Sequence, residues 1–263
     1  RPPRSTLFPY TTLFRSKDNV DLKSSDFYPM LKTAETLPTT SQPSPQEFMD
    51  VYKPILEKGD KIVSMHISSG ISGTINSANQ AKEMLGTKDI EIIDSGSTGM
   101  ALGLAVLVTA RLAKKNGSLE ECKKLAQKAV ENSEVYFLVN TLEYLHKGGR
   151  IGGASALLGS ALDLKPILYM HEGKIESFDK VRTKKKAILR LIEIGKEKVG
   201  DRRPIHFCIL QLEAEEDAAF VQSELEKLYN PDEIVEMMEV GISPVIGTHT
   251  GPGVIAICYL AGV

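Results

Sequence analysis

The residues best suited to chemistry lie in two hydroxyl-rich loops, residues 39–44 (TTSQPS) and 68–74 (SSGISGT). Each loop precedes a predicted helix, and the first N–H groups of a helix are unpaired and carry positive partial charge. Hydroxyl groups clustered at such a position form a neutral site for a small anionic group. Neither loop contains a carboxylate, a cysteine or a histidine that could act as a base or a metal ligand. The pattern therefore predicts that the loops bind an anion and do not cleave it.

The elements around these loops predict that they meet at one edge of a sheet. A strand over 61–67, a helix over 74–85 and a strand over 90–94 form a βαβ unit, which implies parallel strands. Ligands of such sheets lie beyond the carboxyl ends of the strands. A third loop, residues 95–99, follows the second strand, and a helix opened by the capping box at residues 44–47 begins at the same edge. We therefore expect three Ser/Thr-rich loops to converge on one rim.

The remainder of the chain shows a different pattern of predicted secondary structure. A glycine-containing turn separates two short strand patterns, residues 165–170 and 174–178, which is typical of a hairpin. Hairpin signals mixed with helices predict an α+β unit with a partly antiparallel sheet. The predicted helices cover 100–114, 118–132, 142–145, 184–199 and 215–228, and the other strands cover 135–139, 205–212, 233–240 and 254–259. The fold class is thus α/β with two domains, a parallel-sheet domain over 17–146 and an α+β domain with a mixed sheet over 147–263.

Composition excludes several classes of function. The chain has 263 residues and a formal net charge of −2, so it has no general attraction for nucleic acid or anionic lipid. Its three cysteines are widely spaced and odd in number, which predicts buried thiols in a reducing compartment, the cytoplasm, and neither a disulfide framework nor a zinc site. The longest apolar run, residues 100–110, is too short to span a bilayer.

The first 16 residues do not read as part of the fold. Residues 6–16 (TLFPYTTLFRS) match the translation of a common DNA-sequencing adapter, and they contain no small-residue cleavage site typical of a signal peptide. We expect residues 1–16 to be a non-native segment that stands where natural sequence would be.

Six motifs in order resemble the DegV family of fatty-acid-binding proteins. The resemblance covers about residue 17 to the end of the chain. The motifs lie at residues 37–44 (LPTTSQPS), 67–74 (ISSGISGT), 93–95 (IDS), 142–151 (LEYLHKGGRI), 164–168 (LKPIL) and 247–253 (GTHTGPG). One departure is that family members begin with a strand ending in an Asp-Ser loop, then a helix and a further strand, and this segment is absent from the given chain.

The resemblance implies a fatty acid held between two domains and presented to a separate ATP-dependent fatty acid kinase, which makes acyl phosphate for phospholipid synthesis. It implies that Thr40, Ser72 and His249 contact the carboxylate. Neighbouring positions expected to contribute are Thr39, Gly73 and Ser95.

Arg150 and Arg182 occupy basic positions expected to face the kinase or its phosphate. The ligand is a long-chain fatty acid. No catalytic residue, metal or cofactor is expected, and transient contact with a membrane is left open.

Less specific interpretations stay open for the same residues. Thr40 and Ser72 could simply cap helices, and Arg150, after two glycines, could bind helix carbonyls. His249, in a glycine-rich segment predicted as a loop, would suit a contact that changes charge near neutral pH. Candidates to line an acyl tunnel, or to form ordinary core, are Met100, Leu102, Leu104, Leu107, Leu157, Leu158, Leu162, Ile167 and Leu168.

Two other functions compete with a carrier. One is a hydrolase or phosphatase using Ser72 and His249, although the chain has no G-x-S-x-G elbow and no evident acid to orient the histidine. The other is a regulator that binds a sugar phosphate, which predicts a small, wet pocket and no lipid.

Overall fold

The computed structural model describes residues 16–159 and 164–263. The predicted segment 1–16 therefore lies, except for Ser16, outside the described residues. The helices are α1 (Ser24–Lys32), α2 (Pro45–Leu56), α3 (Thr74–Leu85), α4 (Gly99–Lys114), α5 (Leu119–Glu131), α6 (Glu143–Lys147), α7 (Lys184–Val199), α8 (Glu215–Leu228) and α9 (Pro244–Thr250), with a 3₁₀ helix at Gly152–Leu157. The strands are β1 (Ile62–His66), β2 (Ile90–Asp94), β3 (Ser133–Leu138), β4 (Lys165–His171), β5 (Lys174–Val181), β6 (Ile205–Leu212), β7 (Ile234–Gly241) and β8 (Val254–Ala261).

The predicted βαβ unit is present. β1 and β2 pair in parallel, with His66 opposite Asp94 at their carboxyl ends, and α3 connects them. A small core between this sheet and helices α2 and α3 contains Met49, Tyr52 and Ile90. The loops that follow both strands therefore emerge at the same edge, as the sequence predicted.

A second, six-stranded sheet has the order β5-β4-β3-β8-β6-β7. All its pairs are antiparallel except β6–β7, which is parallel. The central strand β8 is buried along its whole length, and its side chains alternate between two cores. Helices α7 and α8 cover one face of the sheet, and α4 packs on the other. This mixed sheet beside a parallel one confirms the predicted fold class.

The division between residues 146 and 147 remains a prediction. β3, which precedes it, pairs with β4 and β8 and so belongs to the six-stranded sheet.

Local sequence signals did not predict α1, the 3₁₀ helix or α9.

Two helices begin where their capping boxes predict. The Ser44 side chain accepts a hydrogen bond from the Glu47 N–H, and the Glu47 carboxylate accepts one from the Ser44 N–H. Ser118 and Glu121 form the same reciprocal pair at the start of α5. The first box therefore fixes where the hydroxyl-rich loop 39–44 ends and α2 begins.

Three general features of the described ranges bear on function. None of their helices combines the length and apolar content needed to cross a lipid bilayer. Cys122, Cys208 and Cys258 are free and buried. Residues 16–159 and 164–263 bring no three metal-ligating side chains together.

Candidate functional site

The loops after β1 and β2 are joined by direct hydrogen bonds. The Ser68 N–H donates to the Ser97 carbonyl at 2.8 Å. The Asp94 carboxylate accepts from the Ser69 N–H at 3.2 Å and from the Gly96 N–H at 2.9 Å. Asp94 thus braces both loops.

Gln42 brings the third loop, residues 39–44, against the start of α3. Its Nε2 donates to the Ser77 hydroxyl at 3.3 Å. Its side chain also lies against Gly73, where an added Cβ would be 2.0 Å from Gln42 Oε1. Gly73 therefore permits the close approach of two loops. The predicted convergence of the three loops is confirmed.

A cavity of about 1510 Å³ lies between these loops and the α4 face of the six-stranded sheet. Its size exceeds the roughly 300–1,000 Å³ typical of small-ligand pockets. The polar lining residues include Thr39, Thr40, Ser41, Ser72, Thr74, Arg150 and His249, together with the charged residues Lys17, Asp18, Asp21, Glu47 and Asp50. Apolar side chains form much of the remainder, including Phe27, Val135, Phe137, Leu145, Leu210, Ile242, Val254 and Ala256.

Thr40 and His249 are in direct contact although 209 residues separate them. Thr40 Oγ1 lies 2.8 Å from His249 Nε2. The sequence predicted that His249 lies in a loop. It lies instead in the last turn of α9, a short helix over Pro244–Thr250 that ends at Gly251. Its other ring nitrogen, Nδ1, is buried without a hydrogen-bond partner among the described residues.

His249 is neutral near pH 7. Burial, and secondarily the positive charge of Arg150, lower the pKa of His249 from 6.5 to about 4. Both effects disfavour the charged imidazolium. The expectation that this histidine titrates near neutral pH was therefore wrong, since its environment excludes the added charge.

Ser72 lies at the start of α3. Its hydroxyl is 2.8 Å from the Thr74 hydroxyl and accepts a hydrogen bond from the Thr74 N–H at 3.3 Å. α3 has 12 residues, and its N-cap, Gly73, supplies no side-chain hydrogen bond to the helix. The hydroxyls of Ser72 and Thr74 and the first N–H groups of α3 therefore form a cluster of donors beside the cavity.

Arg150 also lines the cavity, and its guanidinium is bound by backbone oxygens. Nε donates to the Ile71 carbonyl at 3.1 Å and Nη1 donates to the Gly148 carbonyl at 2.7 Å. The sequence had left open that Arg150 binds helix carbonyls. Gly148, the C-cap of α6, agrees with that interpretation, whereas Ile71 belongs to the loop before α3.

Other predicted site residues lie elsewhere. Ser95 is buried outside the cavity lining, and its hydroxyl bonds to the Ser97 backbone within its own loop. Gly73 contacts Gln42 and is not part of the lining either. Arg182 is exposed at the end of β5, away from the cavity. Thr39, by contrast, is a lining residue.

Of the two roles left open for the nine tunnel candidates, lining the tunnel is not confirmed, since none of the described candidates lines the cavity. Leu104, Ile167 and Leu168 are fully buried in the cores, and Leu162 lies outside the described residues. Alternate residues of the strands supply the apolar wall instead. Val135 and Phe137 come from β3, and Val254 and Ala256 come from β8.

The chain is similar to known proteins over nearly its whole length. The family model described as "Uncharacterised protein, DegV family" matches residues 15–262. A DegV domain-containing protein of Clostridium perfringens is 37% identical over 248 residues, which are 93% of this chain and 86% of that protein.

Two solved structures share the fold. A DegV family protein from Thermus thermophilus, described for its fatty acid binding, superimposes with a TM-score of 0.87 at 31% identity, covering 94% of this chain and 87% of that one. DegV from Bacillus subtilis, described as a fatty acid binding protein, gives a TM-score of 0.82 at 34% identity, covering 94% and 86%. With the family model matching nearly the whole length, this chain belongs to the DegV family.

Proposed function

We propose that this protein is a fatty-acid carrier that binds the carboxylate of a long-chain acid with neutral hydroxyl donors and encloses its tail in the cavity. The observation that carries the proposal is that Thr40 and Ser72, from loops far apart in sequence, line one cavity whose remaining wall is largely apolar. Two DegV family proteins of the same fold are described as binding fatty acids, which supports the same ligand class here.

The contact between Thr40 and His249 suits a carboxylate. If Nε2–H of the neutral imidazole donates to Thr40 Oγ1, the Thr40 O–H is free to donate to a ligand oxygen. A carboxylate accepts such hydrogen bonds and has no proton to donate, so its binding selects this arrangement. Ser72 and the start of α3 offer further donors for its second oxygen.

The apolar cavity wall favours a ligand with a long acyl tail. Each buried methylene contributes roughly 0.8 kcal/mol, so a long acyl chain supplies most of the binding free energy. The donors then need only to orient the head group. A sugar phosphate would leave the apolar wall formed by Val135, Phe137 and Leu210 in contact with water, which makes a regulator of that kind the weaker proposal.

A hydrolase using Ser72 and His249 is also less well supported. The hydroxyl that contacts His249 belongs to Thr40, whereas Ser72 contacts Thr74. An acid that would orient the imidazole is missing from the described residues, where Nδ1 of His249 has no partner. The nucleophile, base and orienting acid of a triad are therefore not assembled there.

We further propose that the bound acid is presented to a separate fatty acid kinase, in which case the protein itself catalyses no reaction. The family resemblance supports this role, and exposed Arg182 offers a cation for the partner or its phosphate. Formation of acyl phosphate should require both proteins and ATP. Arg182→Ala should reduce that rate without changing fatty-acid affinity. Acyl phosphate formed by this protein alone would contradict the carrier role.

The test of the main proposal is mass spectrometry of lipid extracted from the purified protein, followed by titration of the delipidated protein with a long-chain acid. We expect an intact acid near one per chain. Thr40→Ala combined with Ser72→Ala should weaken binding about tenfold or more through lost hydrogen bonds. Ser223→Ala removes a hydroxyl from α8, on the other face of the sheet, and is the matched control. Unchanged affinity in the double variant would remove these hydroxyls from the site.

A further inference from the structure

Arg150 connects two segments that carry the head-group residues. The Ile71 carbonyl, which accepts from its Nε, directly precedes Ser72 in the chain. The Gly148 carbonyl, which accepts from its Nη1, belongs to the residue that supports the ring of His249. The guanidinium of Arg150 thus joins the segment that leads into Ser72 to the segment that lies against His249.

The contact between Gly148 and His249 is close. An added Cβ at Gly148 would be 2.3 Å from His249 Nδ1, so the glycine backbone lies directly against the imidazole. A displacement of Gly148 would therefore move the surface on which His249 rests. Because His249 holds Thr40, the same displacement would reach the Thr40 hydroxyl.

The chemistry of arginine fits this position. A guanidinium presents its donors in a fixed planar fork, so two hydrogen bonds set the separation and angle of the two carbonyls it joins. Lysine carries the same charge but has no fork. The positive charge of Arg150 also lies near the neutral donors Thr40, Ser72 and His249, so it favours an ionised ligand over a neutral one of equal length.

We propose that Arg150 is a positioning residue that fixes the Ser72 loop relative to the Gly148–His249 contact and makes the site prefer a carboxylate to an uncharged head group. This inference rests on the proposed function. It differs from the role that the family resemblance implied for this position, in which the arginine faces a partner or its phosphate.

The experiment measures the dissociation constants of hexadecanoic acid and hexadecanol for the wild-type protein, Arg150→Lys and Arg150→Gln. We expect Arg150→Gln to bind the acid about tenfold or more weakly, since the variant loses both the positioning by the guanidinium and its attraction for the carboxylate. Binding of the alcohol should change by less than about threefold, because it loses positioning but no charge attraction. The affinity of Arg150→Lys for the acid should lie between those of the wild-type protein and Arg150→Gln, because lysine restores the charge without the planar fork.

The control is Lys115→Gln, which removes an exposed positive charge at the far end of α4, roughly 24 Å along the helix from its start at the cavity. It should leave both dissociation constants unchanged. Thermal unfolding of each variant checks the fold. If Arg150→Gln fails to fold, the test is whether Arg150→Lys weakens binding of the acid more than binding of the alcohol.

Three results would count against the idea in distinguishable ways. Wild-type binding of the acid by both arginine variants would show that Arg150 does not act on the site. Equal losses for acid and alcohol would show a general structural role. If the wild-type protein binds neither ligand, the proposed function itself fails.

Discussion

Thr40 Oγ1 and His249 Nε2 lie 2.8 Å apart, joining a loop near the start of the described chain to a helix near its end. The two residues belong to segments that meet only in the folded protein. The tautomer of the imidazole decides which of the two groups donates in this contact. A neutral imidazole that donates to the threonine oxygen leaves the hydroxyl proton for a ligand. The head-group site therefore depends on tertiary structure as much as on its loops.

The first prediction concerns the Thr40 hydroxyl. Thr40→Val keeps the shape of the side chain but removes both the contact with His249 and the donor to the ligand. We expect fatty-acid affinity to fall about fivefold or more, because one hydrogen bond is lost and the His249 Nε2 is left unpaired. Thr40→Ser should retain most of the affinity. Isothermal titration with one long-chain acid measures both, and equal binding by valine and threonine would exclude this hydroxyl from the site.

The second prediction is a pH dependence of stability. His249 in the folded protein has its pKa lowered from 6.5 to about 4, mainly by burial. Between these values the unfolded chain binds more protons than the folded one at this residue, so the free energy of unfolding falls as pH is lowered. His249→Gln should remove that contribution.

Urea unfolding of both proteins at several pH values between pH 4 and 7 measures the difference. The wild-type protein should lose more stability than the variant over this interval. Other groups, such as His66, whose pKa is also lowered by burial, are common to both proteins and cancel in the comparison. Parallel curves would show that His249 is not shielded from protonation.

Local signals in the sequence predicted many elements closely. The predicted bounds of α3, α7, β6 and α8 agree with the structure. Their apolar residues repeat with helical or strand spacing, and polar or small residues stand at their ends, so short-range physics determines them. The three-loop convergence was also predictable, because it follows from the geometry of parallel strands and their crossover.

The identity of the apolar cavity wall was not predictable in this way. Both faces of β8 are buried, one against α7 and the other toward α4 and the cavity. Val254 and Ile255 are equally apolar, yet only Val254 lines the cavity. A strand that is apolar on both sides gives no sign of which side meets an empty space. Residues of α4 were predicted as tunnel candidates because that segment is apolar, but Leu104 is packed in the core.

The place of His249 was missed for another reason. α9 spans only seven residues, contains Gly247 and offers no helical repeat long enough to detect. Asp18, far away in the sequence, accepts a hydrogen bond from the Val245 N–H and so helps to hold the start of α9. The family resemblance implied that His249 is a site residue, whereas the sequence of α9 did not predict the helix that carries it.

The third prediction tests the contact beneath His249. Gly148 has a backbone conformation open to any residue, with φ −74° and ψ −10°, so Gly148→Ala causes no backbone strain. Its new Cβ would meet His249 Nδ1 at 2.3 Å and the Tyr144 carbonyl oxygen at 2.9 Å. We expect the imidazole to be displaced from Thr40, with a cost of about 1–3 kcal/mol in stability or binding.

Gly241→Ala is the matched control, since nothing lies within 4 Å of a Cβ added there. It should change stability by no more than about 0.5 kcal/mol. Thermal unfolding and fatty-acid titration are made on both variants. If Gly148→Ala behaves like Gly241→Ala, the glycine has no part in supporting the histidine.

The last prediction asks whether the cavity holds the acyl tail. Ala256 lies on β8, is 2% exposed and faces the cavity, so Ala256→Phe places a ring in space that the tail would occupy. Each methylene that the ring displaces should weaken binding about fourfold. Long acids should therefore lose much affinity and short ones little. Ala113→Phe, at an exposed position near the end of α4, controls for added aromatic surface. A series of saturated acids measures the effect, and an affinity loss independent of chain length would mean that the tail lies elsewhere.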